Sequence, residues 1–248
     1  MIQLEQVTVE HHAPGSAPVR AVEALDLEVT GGETLCLIGP SGCGKTTTLR
    51  LMNRLVAPTE GRVLVNGEDS ARLDPIALRR SMGYVLQSGA LFPHLDVRAN
   101  ITLLCELEGW EPDRRRQRAD ELLRLVDLEP DEFAHRFPAE LSGGQQQRVG
   151  VARALALDPP ILLMDEPFGA LDPITRGDLQ LEFKELARQL GKTIVLVSHD
   201  LREAFLLADR VALLREGRLL QVGTPEELTA TPADGFVARF VARSATDA

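Results

Sequence analysis

The chain has few of the residues that build disulfide scaffolds or membrane spans. Only three of its 248 residues are cysteines, and Cys36, Cys43 and Cys105 form no CxxC pair. We therefore expect three reduced thiols in a cytosolic protein. No apolar run approaches the about eighteen residues of a membrane-spanning helix. The first residues also lack the basic and apolar segments of a secretion signal.

Positive charge is scarce as well. The chain has 27 Lys and Arg residues against 37 Asp and Glu residues, a formal net charge of −10. This balance argues against broad contact with nucleic acid or anionic lipid, so we expect no nucleic-acid partner. The densest basic cluster is Arg114, Arg115, Arg116 and Arg118, and acidic residues flank it. We interpret it as a solvated helix face.

What the chain does contain is a phosphate-binding loop. Residues 39–47 spell G-P-S-G-C-G-K-T-T and fit the pattern G-x-x-x-x-G-K-[ST]. Before it, the apolar residues 34–38 predict a buried strand, and after it residues 46–55 predict a helix. The alternative, a glycine-rich turn that binds nothing, does not explain this order of strand, loop and helix.

The chemistry of the loop follows from its residue types. Glycines let the backbone fold around an anion with its N–H groups inward, and the helix N-terminus adds partial positive charge. Lys45 can reach the β- and γ-phosphates, and the Thr46 hydroxyl can hold Mg²⁺. The predicted nucleotide-binding residues of the loop are Gly39, Pro40, Ser41, Gly42, Cys43, Gly44, Lys45, Thr46 and Thr47.

Strands alternate with helices along most of the chain, which predicts an α/β fold with a mainly parallel sheet. The first thirty residues are instead typical of antiparallel β structure, and residues 88–148 are helical without a convincing strand. We therefore predict one domain over residues 1–240, with its core at about 1–87 and 149–240, an inserted helical subdomain at about 88–148, and a tail at 241–248.

Two carboxylates follow an apolar run at residues 161–164. A buried strand here would bring Asp165 to the carboxyl edge of the sheet, where ligands of open α/β sheets bind. Asp165 can then hold Mg²⁺, and Glu166 can orient or deprotonate an attacking water. The alternative is a strand that ends in solvated acids, which a neighbouring phosphate loop makes the weaker interpretation.

Residues 141–148, L-S-G-G-Q-Q-Q-R, resemble the signature motif of ABC ATPases. The phosphate loop and Asp165-Glu166 stand in the family's order, and the resemblance covers essentially the whole chain. It implies a P-loop, RecA-like core that binds ATP and Mg²⁺. It also implies that Gln87, after a strand, contacts Mg²⁺ and the attacking water and senses the transmembrane partner. His199, by the same resemblance, contacts the γ-phosphate and Glu166 of the same site. The predicted catalytic residues are Lys45, Gln87, Glu166 and His199, and the predicted metal ligands are Thr46, Gln87 and Asp165.

The signature also has a physical interpretation of its own. Ser142 followed by two glycines places a hydroxyl and small residues at a helix start, which is an anion site built from N–H groups and the helix dipole. The resemblance implies a head-to-tail homodimer in which one copy's signature covers the nucleotide of the other. The residues predicted to act this way are Ser142, Gly143, Gly144 and Gln145, with Asp172 of the D-loop at the interface.

Each of these assignments has a simpler alternative. Ser142 and Asp172 are also suited to cap the helices that follow them, and capping is compatible with their family roles. Gln87 could be a surface glutamine, and His199 could be a hydrogen-bonded core histidine. The family's adenine-stacking aromatic corresponds to His11 here; His12 or a residue after the following loop is the alternative.

Finer similarity points to the importers of glycine betaine, choline and other osmoprotectants, through residues 51–55, 91–94 and 164–176. Many members of that branch carry paired regulatory domains, for which 248 residues leave no room, so we expect a match to the shorter members. The resemblance implies a permease in the membrane, an indirect link to a substrate-binding protein, and a place on the cytoplasmic face. Residues 91–94, hereafter the groove segment, would then help form the groove for the permease's coupling helix; the alternative is a buried loop anchor.

Other classes stay open. An exporter subunit, an ATPase for another solute, a soluble ABC ATPase of DNA repair or translation, and an ATP-binding module without catalysis are the rivals. Repair ATPases interpose long coiled coils and translation factors join two ATPase units, and the sequence shows neither. Glu166 and His199 argue against a module without catalysis.

Overall fold

A computed structural model of the chain describes residues 1–11, 18–87 and 90–246. They divide into two compact units. The first comprises residues 1–79 and 191–248, and the second comprises residues 80–190. The boundaries that we predicted for the core and the helical subdomain stay a prediction.

The first unit contains a four-stranded antiparallel sheet in the order β2-β1-β4-β5. Its strands are β1 (Ile2–His11), β2 (Val19–Val29), β4 (Glu60–Val65) and β5 (Glu68–Asp69). At the end of β2, Leu25, Leu27 and Val29 are buried whereas Asp26 and Glu28 are exposed. This alternation buries one face of the sheet, as the sequence predicts.

The first unit also contains four strands of a second sheet, which is mainly parallel. The strands are β3 (Thr34–Ile38), β8 (Thr193–Val197), β9 (Arg210–Arg215) and β10 (Arg218–Gly223). β3 lies between β8 and β9 and runs parallel to both, and β10 is antiparallel to β9. All residues of β3 and β8 are buried, which is why both appear in the sequence as continuous apolar runs.

The helices of the first unit are α1 (Lys45–Met52), α2 (Pro75–Arg80), α8 (Leu201–Leu207), α9 (Pro225–Ala230) and α10 (Gly235–Thr246). The sequence predicts helices over residues 46–55, 75–80 and 201–208, which correspond to α1, α2 and α8, but we did not predict α9 or α10. α10 extends beyond residue 240, where we placed the end of the domain. α9 is a short helix whose sequence signal is a capping box, since Thr224 accepts from the Glu227 N–H and Glu227 accepts from the Thr224 N–H.

The second unit pairs two parallel strands, β6 (Met82–Val85) and β7 (Ile161–Asp165), with five helices. The helices are α3 (Val97–Leu107), α4 (Pro112–Leu125), α5 (Pro130–Phe133), α6 (Gly143–Ala154) and α7 (Pro173–Leu190). The predicted helical stretch is therefore interrupted. Gly109 adopts a left-handed φ of 73° after α3, and Pro112 and Pro130 each begin a new helix.

The fold is α/β with mostly parallel strands, an antiparallel N-terminal sheet and an inserted set of helices, so the predicted fold class is confirmed. Within residues 1–11, 18–87 and 90–246, no helix combines the length and the apolar composition that crossing a bilayer requires.

Candidate functional site

The phosphate loop lies between β3 and α1, as predicted. Gly39 and Gly44 have left-handed φ angles of 145° and 101°. A Cβ at Gly39 would collide with the Leu214 carbonyl oxygen, and one at Gly44 would collide with the Ala21 carbonyl oxygen. Only glycine fits both positions, so the backbone itself forms a cradle there.

Lys45 is directed back into this loop. Its side chain is buried, and Nζ donates hydrogen bonds to the Gly39 carbonyl at 2.8 Å and the Pro40 carbonyl at 3.1 Å. Cys43 Sγ lies 3.9 Å from the same ammonium, and burial raises the pKa of the Cys43 thiol. The buried Lys45 ammonium therefore donates to neutral carbonyl oxygens. The charged oxygens of a phosphate would be stronger hydrogen-bond acceptors than these carbonyls.

The first turn of α1 supplies the rest of the cradle. Thr46 and Thr47 are half-buried in this turn, and the loop residues Ser41 and Gly42 are exposed. The first N–H groups of a helix have no intrahelical acceptor, so an anion at this end is stabilised by both hydrogen bonds and the helix dipole. The predicted loop residues 39–47 are thus brought together in one place.

His199 lies at the same edge of the first unit's sheet. Leu37 of β3 pairs with Val197 of β8, so Gly39 and His199 each follow that pair by two residues. Ser198 holds the turn, since its N–H donates to the Leu37 carbonyl at 3.1 Å and its Oγ accepts from the Asp200 N–H at 2.9 Å.

The His199 side chain is exposed. The alternative of a buried core histidine is therefore excluded. Asp200 caps α8 by accepting from the Arg202 N–H at 2.8 Å. This cap fixes the backbone on the other side of the histidine, so the imidazole is presented at the sheet edge by ordered residues.

In the second unit, β7 brings Asp165 to its carboxyl end. The Asp165 side chain is 8% exposed, and Oδ2 accepts a hydrogen bond from the Tyr84 hydroxyl at 3.4 Å. Tyr84, the only tyrosine of the chain, is a site residue that we did not predict. Its one signal is its place on β6, the strand before Gln87.

Glu166 and Gln87 come together, a contact that we did not predict. Gln87 Nε2 donates to Glu166 Oε2 at 3.4 Å. Glu166 adopts a left-handed φ of 47°, and its carbonyl accepts from the Gly169 N–H at 3.1 Å. A Cβ at Gly169 would lie 3.2 Å from Gln87 Nε2, so glycine leaves the space that this approach needs. A non-glycine residue with such a φ stores strain, which is frequent at functional sites.

Ser142 caps α6 with a reciprocal pair of hydrogen bonds. Its Oγ accepts from the Gln145 N–H at 3.3 Å, and Gln145 Oε1 accepts from the Ser142 N–H at 2.9 Å. The prediction that Ser142 is an N-cap is confirmed. Because the hydroxyl oxygen accepts, its proton stays available for donation to an anion in front of the helix.

The two glycines of the signature also serve packing. A Cβ at Gly144 would lie 2.9 Å from Thr175 Cγ2 of α7, and one at Gly143 would lie 3.5 Å from a Leu171 methyl. Gly144 therefore allows α6 and α7 to approach closely, a role that we did not predict from the sequence.

Asp172 caps α7. Its Oδ1 accepts from the Ile174 N–H at 3.2 Å and from the Thr175 N–H at 3.1 Å. The Thr175 side-chain hydrogen bond is the largest cause that lowers the pKa of Asp172, and the backbone donors add to it. The carboxylate is exposed. Its predicted role at a dimer interface remains a prediction.

Some predicted residues are not described. The His11 side chain and His12 lie outside the described residues, so the adenine contact stays a prediction. In addition, no group of three or more His, Cys, Asp or Glu side chains in the described ranges is arranged to hold a metal ion. The predicted Mg²⁺ ligands include a single carboxylate, that of Asp165, and do not require such a group.

Comparisons with known proteins identify the family of the chain. A family model described as "ABC transporter" matches residues 22–169. The chain is 52% identical over 243 residues to the glycine betaine/carnitine/choline transport ATP-binding protein OpuCA of Bacillus subtilis, which covers 98% of this chain and 63% of that protein. It is 50% identical over 246 residues to the osmoprotectant import ATP-binding protein OsmV of Salmonella typhimurium, covering 99% and 64%. The chain thus spans less than two thirds of the length of these relatives.

A solved structure is similar as well. A dimeric post-hydrolysis state of the ATP-binding cassette MJ0796, bound to ADP and Pi, matches with a TM-score of 0.80 at 36% identity. The match covers 90% of this chain and 98% of that one. The fold is therefore shared with a nucleotide-bound cassette.

Proposed function

Because the chain belongs to the ABC transporter family, we propose that it is the ATP-hydrolysing subunit of a bacterial importer of quaternary-amine osmoprotectants such as glycine betaine, choline and carnitine. The observation that carries the hydrolysis is the approach of Gln87 Nε2 to Glu166 Oε2, 3.4 Å apart on a strained turn. It provides an oriented carboxylate where an attacking water needs a base. The solute class is supported by what the relatives' names say of those proteins.

The phosphate loop fits a triphosphate. Its cradle at Gly39 and Gly44 admits no Cβ, and its buried ammonium lies on neutral carbonyls. We assign Lys45 and the N–H groups of residues 39–47 to the phosphates of ATP. We assign Thr46, Gln87 and Asp165 to Mg²⁺, which when bound would neutralise charge that develops on the phosphate oxygens.

The chain's own residues then have distinct roles. Glu166 accepts a proton from water, or orients it, for in-line attack on the terminal phosphorus. Gln87 keeps the Glu166 carboxylate in place. His199, exposed at the edge of β8, donates to the terminal phosphate oxygens, and Lys45 stabilises their charge.

A second copy of the chain completes the site in this proposal. Each chain has two anion sites, the phosphate loop and the N-terminus of α6, and the two lie in different units. In a head-to-tail homodimer, Ser142 and Gly144 of one subunit reach the nucleotide held by the other, and Asp172 contacts the partner. The dimeric state of the similar cassette supports this arrangement.

The permease would bind at the groove segment. Phe92 is 42% exposed there although it is aromatic. The segment is nevertheless ordered by the buried Asn100, whose Oδ1 accepts from the Phe92 N–H at 2.8 Å and whose Nδ2 donates to the Phe92 carbonyl at 3.1 Å. A fixed backbone that exposes an aromatic ring suits the docking of a partner helix.

Binding to a permease would hold this chain at the inner face of the membrane, with the substrate-binding protein in contact with the permease alone. The transported solute would never touch the ATPase. The solute class is therefore the part of the proposal that needs a direct assay.

The test has two arms. The purified chain should hydrolyse ATP, and Glu166→Gln should bind ATP while hydrolysing it at least about 100-fold more slowly. Hydrolysis at the wild-type rate by Glu166→Gln would remove Glu166 from the mechanism. In proteoliposomes that contain the chain with its permease, ATP should drive uptake of radiolabelled glycine betaine, choline or carnitine. ATP-driven efflux, or uptake of a competing amino acid or polyamine instead, would replace the solute assignment while leaving the ATPase assignment in place.

A further inference from the structure

Arg153 links the signature helix to the segment that follows Gln87. It lies in the last turn of α6, and its Nη1 donates a hydrogen bond to the Ala90 carbonyl at 3.0 Å. Its guanidinium carbon also lies 5.9 Å from the centroid of the Phe92 ring. Phe92 belongs to the groove segment and is 61 residues from Arg153 in the sequence. Ala90 directly precedes the segment and is 63 residues from Arg153.

The environment of Arg153 differs from that of Arg148, the other arginine in α6. Burial lowers the pKa of Arg153. Arg148, by contrast, forms an ion pair with Glu182 and donates to the Val126 carbonyl at 2.8 Å. Removing a guanidinium from water costs free energy, and the contacts of Arg153 with Ala90 and Phe92 offset part of that cost.

The residue that accepts the hydrogen bond from Arg153, Ala90, has an unusual backbone conformation. It has a left-handed φ of 43°, a conformation that costs an alanine free energy because of its Cβ. Alanine has no polar side chain with which to stabilise such a turn locally. The hydrogen bond from Arg153 to its carbonyl is thus an external constraint on a strained residue.

The other end of the segment is already fixed. Asn100 is fully buried in α3, and its Nδ2 donates to the carbonyls of Leu95 at 2.9 Å and Asp96 at 3.0 Å, in addition to its bonds with Phe92. The groove segment is therefore anchored by α3 after it and by α6 before it. The Arg153 contact joins the segment directly to α6, the helix that Ser142 caps.

We propose that Arg153 is a positioning residue that fixes the Ala90 turn and so ties the position of the groove segment to that of α6. This inference rests on the proposed function, in which the permease docks on the groove segment and the α6 N-terminus faces the partner's nucleotide. Loss of the arginine would then weaken the coupling between permease and ATP cleavage.

Four variants separate this role from a general loss of packing. Arg153→Met removes the donor and keeps the apolar stem. Arg153→Lys keeps a cationic donor. Arg148→Met is the matched control, because it also removes a half-buried arginine and a carbonyl contact from α6. The double variant Arg153→Met with Ala90→Gly removes the donor and also the strain, since glycine adopts a positive φ freely.

The first measurement is hydrogen exchange of the intact chain by mass spectrometry. Arg153→Met should speed the exchange of peptides covering residues 91–95 by roughly ten-fold, because a local constraint has been lost. Arg148→Met should leave these peptides unchanged. Equal exchange in Arg153→Met and the wild type would overturn the inference without any reference to transport. If Arg153→Met does not fold, Arg153→Gln replaces it.

The second measurement is the ratio of ATP hydrolysis with the permease and glycine betaine to hydrolysis by the chain alone. Arg153→Met should lower this ratio at least about five-fold, the lower end of typical allosteric coupling. Arg153→Lys should restore most of it, whereas the double variant should not, because a relaxed turn without the arginine still has no link to α6. An unchanged ratio in Arg153→Met, an equal fall in Arg148→Met, or full rescue of Arg153→Met by Ala90→Gly would each overturn the inference. A wild-type chain that shows no stimulation would instead contradict the proposed function, and the exchange measurement would then decide about Arg153.

Discussion

Gln87 donates from Nε2 to Glu166 Oε2 across 3.4 Å, and the two residues are 79 positions apart in the sequence. Gln87 follows β6 and Glu166 follows β7, which run parallel as neighbours. Parallel neighbours end at the same edge of a sheet, so the residues after them meet. The pair places an amide donor against the carboxylate that we assign to proton transfer.

Removing that amide should impair chemistry more than binding. We expect Gln87→Leu to lower kcat for ATP roughly 10- to 100-fold, because a misplaced catalytic group costs about that much. The KM for ATP should change less than about three-fold, since the phosphate loop is intact. Steady-state kinetics measures both values. Gln117→Leu, at an exposed glutamine of α4, is the control. An unchanged kcat in Gln87→Leu would show that Glu166 does not need this donor.

Much of this architecture can be predicted from the sequence, because the buried strands are short apolar runs bounded by turn-forming residues. The sequence predicts α7 and β8 with the bounds that the structure has, Pro173–Leu190 and Thr193–Val197. Proline at the first turn of α7 fixes its start. Helix ends are less certain: we predicted α1 over residues 46–55, but it ends at Met52, because Asn53 is its C-cap and Arg54 has a left-handed φ of 57°.

The site was predictable in its residue types and only partly in its contacts. The order of the motifs identifies Lys45, Glu166 and Ser142 without any coordinates. Tyr84 on Asp165 and Arg153 on Ala90 were missed, since these pairs are 81 and 63 residues apart and depend on tertiary packing. The local periodicity of the sequence contains no information about contacts between such distant residues.

The cysteines should be poorly reactive in the folded chain. Burial raises the pKa of Cys36, Cys43 and Cys105, and each side chain is buried. The thiolate is the nucleophile, so a raised pKa lowers reactivity at a given pH. At pH 7.5 a thiol with an ordinary pKa of about 8.5 is about one tenth ionised, and these thiols are ionised less.

We therefore expect iodoacetamide to modify Cys43 at least about ten-fold more slowly in the native chain than in urea. The native rate should still rise with pH above 9, where the rate in urea levels off. Peptide mass spectrometry of timed reactions gives both rates. Equal native and denatured rates at Cys43 would contradict the buried position of this thiol beside Lys45.

The buried side chain of Gln147 leads to a prediction about the free energy of unfolding. It is 3% exposed on α6 and, within the described ranges, its Nε2 has no acceptor. Its surroundings include Leu179 and Phe183 of α7. An unsatisfied buried amide costs free energy, so Gln147→Met should raise the free energy of unfolding by about 1 kcal/mol.

The neighbouring glutamine is the natural control. Gln146 Nε2 donates to the carbonyls of Pro138 at 3.0 Å and Leu141 at 3.3 Å, so Gln146→Met should lower the free energy of unfolding. Urea unfolding followed by circular dichroism measures both variants. A Gln147→Met chain less stable than the wild type would show that its amide is satisfied.

The two anion sites that we propose for the chain lead to a complementation test. Lys45→Ala removes the ammonium that lies on the Gly39 and Pro40 carbonyls. Ser142→Asp keeps a good N-cap for α6 but sets a negative charge before the helix. If each site needs both groups from one chain, each variant is inactive and mixing does not help. If Lys45 of one chain works with Ser142 of another, a mixed dimer contains one intact site.

The head-to-tail arrangement therefore predicts recovery of activity on mixing. Equal amounts of the two variants form mixed dimers in about half of all dimers, so hydrolysis should return to roughly a quarter of the wild-type rate if the sites act independently. Ser142→Thr, which keeps a hydroxyl, should retain activity when it is the only change. Each inactive variant should give no recovery with itself at doubled concentration. Mixtures that remain inactive, although size-exclusion chromatography shows mixed dimers with ATP, would mean that Ser142 does not serve the partner's Lys45 loop.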